Sequence, residues 1–298
     1  MSLKCAPNAI TGVGNLGEHR EMTINELNRI AATKDPVATI RARRWGDDTV
    51  RGSWGYHRAR FLAFFTALAA GRVDSTARTP FAIFGAGNKK LPWRTFSTLP
   101  GIDCPGAGAC RRWCYSFKAW RYPAAFLRQL QCSLLMRSET GRILIARDWM
   151  KIKPGVVRLY VDGDFANTDT LRWWMEQCRR RPDLAVYGYS KSWECFLELD
   201  AEPGFVWPRN YKVNLSGGSR YVGTDVETRF AALPCVRGAF IALGEATTPQ
   251  EIRETLRATT GSQKVFACPG TCGDCMPDGE HACGSERMQD VHIGIGIH

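Results

Sequence analysis

Residues 95–115 read TFSTLPGIDCPGAGACRRWCY. Thr95–Leu99 is a short strand-like run that stops at Pro100 and Gly101. A loop follows with Cys104, Cys110 and Cys114, and Tyr115 opens an amphipathic helical run. The spacing leaves little room for strain-free disulfides among the three thiols, and a third would stay unpaired in any case. Pro and Gly are out of place around cysteines that merely fill a core, so the loop reads as ligating a metal or cluster. Buried structural thiols are the competing reading.

Strand–loop–helix is also the rhythm of the sequence beyond this stretch. Apolar runs predict strands at Phe81–Phe84, Thr95–Leu99, Val156–Val161, Leu184–Tyr189, Tyr211–Leu215, Ala239–Leu243 and Lys264–Ala267. Helical patterns lie between most of them, at Arg121–Met136, Thr168–Arg180, Trp193–Leu199, Val226–Leu233 and Pro249–Thr259. The last has Thr248 as N-cap and Pro249 at its first position. Such alternation builds a parallel sheet with helices packed outside. About six repeats favour a partial (β/α) barrel over a flat doubly wound sheet. The expected class is therefore α/β. A helical N-terminal extension (residues 1–80) precedes the barrel core (81–263), and a cysteine-rich, metal-binding tail (264–298) follows it.

In folds of this kind, functional groups sit on loops after the C-terminal ends of strands. The unusual residues fall there in succession: Cys104, then Asp162-Gly163-Asp164, Ser190-Lys191, Ser216-Gly217-Gly218-Ser219, Gly244-Glu245 and Cys268. If the strands are parallel, these groups share one rim. The carboxylates of Asp162 and Asp164 can bind a divalent metal, take a proton or hold a cationic amino group. The glycine between them allows close backbone approach, although an Asp here can also simply cap the next helix. Ser216, Gly217, Gly218 and Ser219 offer amides and hydroxyls for a carboxylate or phosphate, but Gly-Gly is also ordinary turn chemistry. Asp162, Asp164 and Lys191 are the candidate catalytic side chains. Gly163, Asp164, Ser216, Gly217, Gly218 and Glu245 are the candidate cofactor contacts.

The second cysteine group, Cys268, Cys272, Cys275 and Cys283, places four thiols within sixteen residues of Gly- and Pro-rich loop. It can enclose one ion or cluster, zinc or iron–sulfur, and the spacing does not separate these. Closed four-ligand sites are usually structural, whereas three ligands leave a position open for chemistry. His281 stands beside the group as a bystander. Of the twelve cysteines, the remaining five (Cys5, Cys132, Cys178, Cys195 and Cys235) read as small buried hydrophobes.

In the first 80 residues, Gly12, Gly14 and Gly17 fit a dinucleotide pattern, but the preceding residues make a poor strand, so a plain glycine-rich loop is expected. Thr23 and Glu26 have capping-box spacing. Arg41, Arg43 and Arg44 beside Trp45 and Trp54 can stack on bases, or the tryptophans can anchor a surface loop. Tyr56–Arg72 reads as a helix. The formal charge of +11 favours a polyanionic partner such as nucleic acid or a nucleotide. No apolar run approaches the ~20 residues needed to span a bilayer, so no membrane is expected. Without a leader pattern at the N-terminus, the expected location is cytoplasmic. There is no H-E-x-x-H, no phosphate-binding G-x-x-x-x-G-K and no Ser-His-Asp set.

The stretches GNKKLPWRTFSTLPGIDCPGAGACRRWCYSFKAWRYP, VRLYVDGDFANTDTLRWW, YGYSKS and KVNLSGGS, with the second cysteine group, resemble the gene product 88 family of phage and mobile-element proteins. The resemblance spans roughly residues 85–284. It implies a phage or mobile-element origin, hence a host cell's cytoplasm. The family's usual wording has Ser where this chain has Asp162. More loosely, the arrangement is similar to radical S-adenosylmethionine enzymes of partial-barrel fold. That likeness implies a four-iron cluster on Cys104, Cys110 and Cys114, S-adenosylmethionine as a cofactor with its amino group on Gly163 and Asp164, and a further cluster near the C-terminus. Those enzymes space their cysteines C-x3-C-x2-C. Here the first group is C-x5-C-x3-C, and Cys268, Cys272 and Cys275 have the other spacing. Two functions stay open: an iron–sulfur enzyme acting on nucleic acid or nucleotide, and a zinc-stabilised, non-catalytic nucleic-acid-binding protein associated with replication. A thiol-based redox protein is disfavoured, since C-x-x-C occurs only inside the four-cysteine group.

Overall fold

The structure is a computed structural model describing residues 22–112, 114–244, 246, 248–276 and 280–296. Cys5, Gly12, Gly14, Gly17 and Glu245 lie outside the described residues. The chain opens with three helices, α1 (Ile24–Ala31), α2 (Pro36–Arg41) and α3 (Trp54–Ala69). The capping box expected at Thr23 forms, with Glu26 returning its side chain to the cap amide. The helices bury Leu27, Ile30, Ile40, Phe61 and Phe65 in the same apolar core as the sheet that follows, so α1 to α3 pack as part of one body with it.

That sheet begins with β1 (Arg94–Thr95). Helices α4 (Pro123–Met136) and α5 (Glu139–Met150) lead to β2 (Gly155–Leu159). Then come α6 (Thr168–Arg180), β3 (Leu184–Ser190), α7 (Trp193–Asp200), β4 (Tyr211–Ser216), α8 (Asp225–Ala231), β5 (Val236–Leu243), α9 (Pro249–Thr260), β6 (Val265–Ala267) and β7 (His292–Gly296). The strands form one sheet in the order β1-β2-β3-β4-β5-β7-β6, and every pairing is parallel. β1 and β6 are its two edges. The protein is thus α/β with a seven-stranded parallel sheet.

Three sequence expectations change. Phe81–Phe84 is not a strand. Its backbone is satisfied by α4 side chains: Gln131 bonds both the amide and the carbonyl of Phe81, and Arg128 Nε donates to the Ala82 carbonyl. The segment from residue 264 is not a tail outside the sheet, because β6 and β7 belong to the sheet and β7 inserts between β5 and β6. Helix α5, unanticipated in the sequence, fills the long β1–β2 crossover beside α4.

The two faces of the sheet differ. Val157, Leu159, Leu184, Val186, Tyr211 and Val213 point into the helical layer and form the main core. The alternate positions carry Arg158, Tyr187, Tyr189, Asn214 and Phe240, and the cysteine-rich segment lies against this second face. Strands of parallel sheets usually read as unbroken apolar runs. An arginine, two tyrosines and an asparagine at alternate positions mark a face that packs against the cysteine-rich segment instead of a helical layer. Among the described residues, no helix is long and apolar enough to cross a membrane.

Candidate functional site

The loop of Cys104 is anchored before it begins. Asp103 is buried; its Oδ2 accepts the Leu99 amide at 3.2 Å and the Ser133 hydroxyl, and its Oδ1 accepts Arg137 Nη2 at 2.8 Å. The loop then lies across the ends of β3 and β4. Gly108 and Cys110 donate their amides to the Gly218 carbonyl at 3.1 and 3.4 Å, and Arg220 donates its amide to the Gly106 carbonyl at 3.0 Å. Ser219 Oγ donates to the carbonyls of Gly106 and Lys191. Gly106 has to be glycine, since a Cβ there would overlap the Lys191 carbonyl. The Ser216–Ser219 turn is therefore less of an open nest than its sequence suggests. The Gly218 carbonyl docks the cysteine loop, and the Gly217 amide donates to Phe240 at 3.1 Å.

Asp164 sits beneath this junction, 3 % exposed. Its Oδ1 accepts Ser190 Oγ at 2.8 Å and the Phe165 amide at 2.8 Å, and its Oδ2 accepts the Lys191 amide at 2.7 Å. Burial raises its pKa above the ordinary carboxylate value while these donors oppose the rise. Three donors occupy most of the roughly four lone-pair sites of a carboxylate. Asp164 thus ties the β2 loop to the β3 loop, with little capacity left over. Lys191 Nζ donates to Ser216 Oγ at 2.7 Å. Cys104 feels both groups: burial raises its thiol, the Asp164 carboxylate adds to the rise, and Lys191 opposes it. Gly163 has φ +77°, and a Cβ there would overlap Thr98 Oγ1. The chain reaches this position through Tyr160, a bulky residue at φ +53°. Its ring is held between Phe96, Phe165 and Trp174, and Trp174 Nε1 donates to its hydroxyl at 3.0 Å. Left-handed backbone at a non-glycine is costly and persists only where the surroundings fix it. Asp162 accepts Gln129 Nε2 at 2.9 Å, and burial raises its carboxyl.

Cys104, Asp164, Lys191 and Ser216 therefore meet at one end of the sheet. A cavity of about 300 Å³ on the helical side reaches Asp164 and is also lined by Thr98, Asp103, Arg137, Arg142 and Tyr160.

The second cysteine group lies on the other face of the sheet. Tyr187, the register partner of Arg158, has its hydroxyl 3.9 Å from Cys272 Sγ. Cys268 Sγ accepts the Gly270 amide at 3.4 Å and Cys275 Sγ accepts the Ala282 amide at 3.3 Å. Burial raises the Cys268 and Cys272 thiols and pushes Cys283 up to about 12. A network absent from the sequence reading clamps this segment down. Asn214 Nδ2 donates to the carbonyls of Gly188 (3.0 Å) and Cys283 (2.8 Å), and its Oδ1 accepts Arg237 Nε at 2.7 Å. Arg237 Nη1 donates to Met288 and Val291 carbonyls at 2.8 and 2.5 Å. Both side chains are fully buried. Burial lowers the pKa of His281 to about 4, and its ring lies 4.5 Å from that of Tyr187.

As placed, no three of His, Cys, Asp and Glu among the described residues stand close enough together to hold a metal ion. Arg158 stacks on the Tyr189 ring at 4.4 Å, and its buried Nε has no hydrogen-bond partner. The sequence signal for these missed residues was the polar alternation within β2 to β5.

The sequence model of the family described as gene product 88 matches residues 68–289. The chain belongs to the gene product 88 family. The match takes in both cysteine groups, Asp162–Asp164, Lys191 and the Ser216–Ser219 turn, and it stops before β7. No curated protein matches the chain, and no solved structure matches it.

Proposed function

We propose that this gene product 88 protein is an iron–sulfur enzyme acting on nucleic acid or nucleotide, with its sheet curved as a partial (β/α) barrel. The observation that carries the reading is the meeting of the Cys104 loop with Asp164, Lys191 and Ser216 at the ends of parallel strands, where such folds place their chemistry. Three thiols in one loop and four in another are the ligand type that a thiolate centre needs, although as placed among the described residues they do not converge on one ion. Burial raises the thiols of Cys104, Cys268, Cys272 and Cys283, so as free thiols these would be poor nucleophiles, and a bound metal is what ionises such groups. Amides aimed at Cys268 and Cys275 sulfur are the outer hydrogen bonds that tune such centres.

Cys104, Cys110 and Cys114 would hold the open cluster, and Cys268, Cys272, Cys275 and Cys283 the second one. A bound cluster supplies single electrons, and an iron with an open position can take S-adenosylmethionine. The chain's own groups do the positioning. Asp164 fixes the β2 and β3 loops in register. Lys191, steered by Ser216, presents an ammonium at the rim, and the surplus of +11 draws a polyanion toward it. Anaerobic purification followed by iron and acid-labile sulfide analysis tests this: both are expected, with a brown chromophore.

A second reading is a zinc-stabilised, non-catalytic nucleic-acid-binding protein. The fully buried Asn214–Arg237 clamp over the four-thiol segment favours it, because closed sites are usually structural. Zinc alone in the purified protein would select this reading, and absence of both metals from freshly purified anaerobic protein would sink both.

A further inference from the structure

We infer that the 3-10 helical segment around the first cysteine group is a docking row for single-stranded nucleic acid. The inference rests on the nucleic-acid reading above and says where the strand lies. Between Asp103 and Glu139 the sequence contains no acidic residue, yet it carries Arg111, Arg112, Lys118, Arg121, Arg128 and Arg137. Arg111, Arg112, Lys118 and Arg121 are exposed, and none forms an ion pair among the described residues. Their charge is left for a partner.

The local backbone sorts these side chains. Residues Tyr115–Arg121 form a 3-10 helix, in which side chains three apart eclipse one another. Phe117 and Trp120 share one row and face inward; Trp120 is fully buried and donates Nε1 to Gln129 at 2.7 Å. Tyr115, Lys118 and Arg121 share another row, and all three are exposed. At about 2 Å rise per residue that row runs about 12 Å. Tyr122 extends it, with the Arg121 guanidinium 4.9 Å from its ring.

Tyr115 and Tyr122, 57 % and 56 % exposed, are the large aromatic side chains that remain exposed among the described residues, and both lie here. The Tyr115 hydroxyl donates to the Val161 carbonyl at 3.3 Å, which sets the inner end of the row beside Asp162 and the strand-end site. The other basic-aromatic run cannot offer this. Trp45 is buried, and Trp45, Trp54 and Phe126 pack on one another at 5.4 to 6.5 Å. Cations alone would hold any phosphate backbone. Open rings among them match a strand whose base faces are exposed, because a duplex hides those faces.

The test uses the full chain and fluorescence anisotropy with a labelled single-stranded oligonucleotide, the same sequence as a duplex, and vesicles containing phosphatidylserine, each across a salt series. The wild type is expected to prefer the single strand. Replacing Arg111, Arg112, Lys118 and Arg121 together by Gln is expected to flatten the log–log salt slope by up to about three, since each single-strand phosphate contact contributes roughly 0.7. Tyr115→Ala and Tyr122→Ala are expected each to weaken single-strand binding about tenfold without changing that slope. A control with Arg43, Arg44, Arg209 and Arg257 replaced by Gln should bind nearly as the wild type does. If the wild type binds and the 111–121 variant behaves like this control, the placement is wrong while the nucleic-acid reading stands. If the wild type binds no oligonucleotide, both fall. Binding to the vesicles in place of the oligonucleotides would assign the surface to anionic lipid and overturn the inference.

Discussion

The two cysteine loops are held in opposite ways. The first is fastened from below by main-chain contacts to the β3 and β4 turns, with glycines where the backbones touch, and its outer side carries exposed arginine, lysine and tyrosine. The second lies against a sheet face and is gripped by Asn214 and Arg237, both fully buried. A loop held by its neighbours' carbonyls can be disturbed without dissolving the core. A loop held by a buried guanidinium takes part of the core with it.

The largest expected difference is between one cysteine from each loop. With metal bound, Cys275→Ala removes a ligand from a closed site whose metal can contribute on the order of 10 kcal/mol to folding, so insoluble or unfolded protein is expected. On the proposed reading, Cys110→Ala should fold but lose the metal of the first loop and any activity. Thermal melts with metal analysis read both, and equal unfolding of the two variants would falsify the division between the loops.

Next in size is Arg237→Ala. It strips donors from Asn214 Oδ1 and the Met288 and Val291 carbonyls, and buried acceptors without partners cost about 1–3 kcal/mol each. A loss of about 3–5 kcal/mol in urea unfolding is expected. A loss below about 1 kcal/mol would mean that the clamp does not hold the second loop.

Gly106→Ala should sharpen the contrast from the other side. Its Cβ overlaps the Lys191 carbonyl, so the first loop must lift. We expect about 1–3 kcal/mol of strain, seen as faster alkylation of Cys104 and Cys110 with no change at Cys272 or Cys283. Faster reaction at all four would contradict independent attachment.

The smallest effect is a pH dependence at Asp164. Its folded-state value is raised by burial, so between the unfolded carboxylate value and the raised one the folded state binds more protons. Stability from this group therefore rises as pH falls through that window. Relative to Asp164→Asn, the wild type should gain stability on acidification from neutral pH. A relative loss would show that its three donors outweigh desolvation.

Much of the fold was legible because its signals are local. Helix α6, the Thr23 capping box and the Thr248 N-cap follow from residues three or four apart, and the strand–helix alternation from runs of a few residues. The glycine between the two aspartates stands at φ +77° with Thr98 packed against it, a contact from far along the chain. Tertiary structure decided whatever depends on a partner far along the chain. Phe81–Phe84 looks like a strand but takes its hydrogen bonds from Gln131 and Arg128. β7 is a glycine-interrupted run that gains strand character from the slot between β5 and β6. Arg237 and Asn214 look like ordinary polar residues until the fold stacks them under residues 283–291. Short-range periodicity fixes which segments become helix or strand. Burial, and the partner that a buried polar group finds, are properties of the assembled sheet.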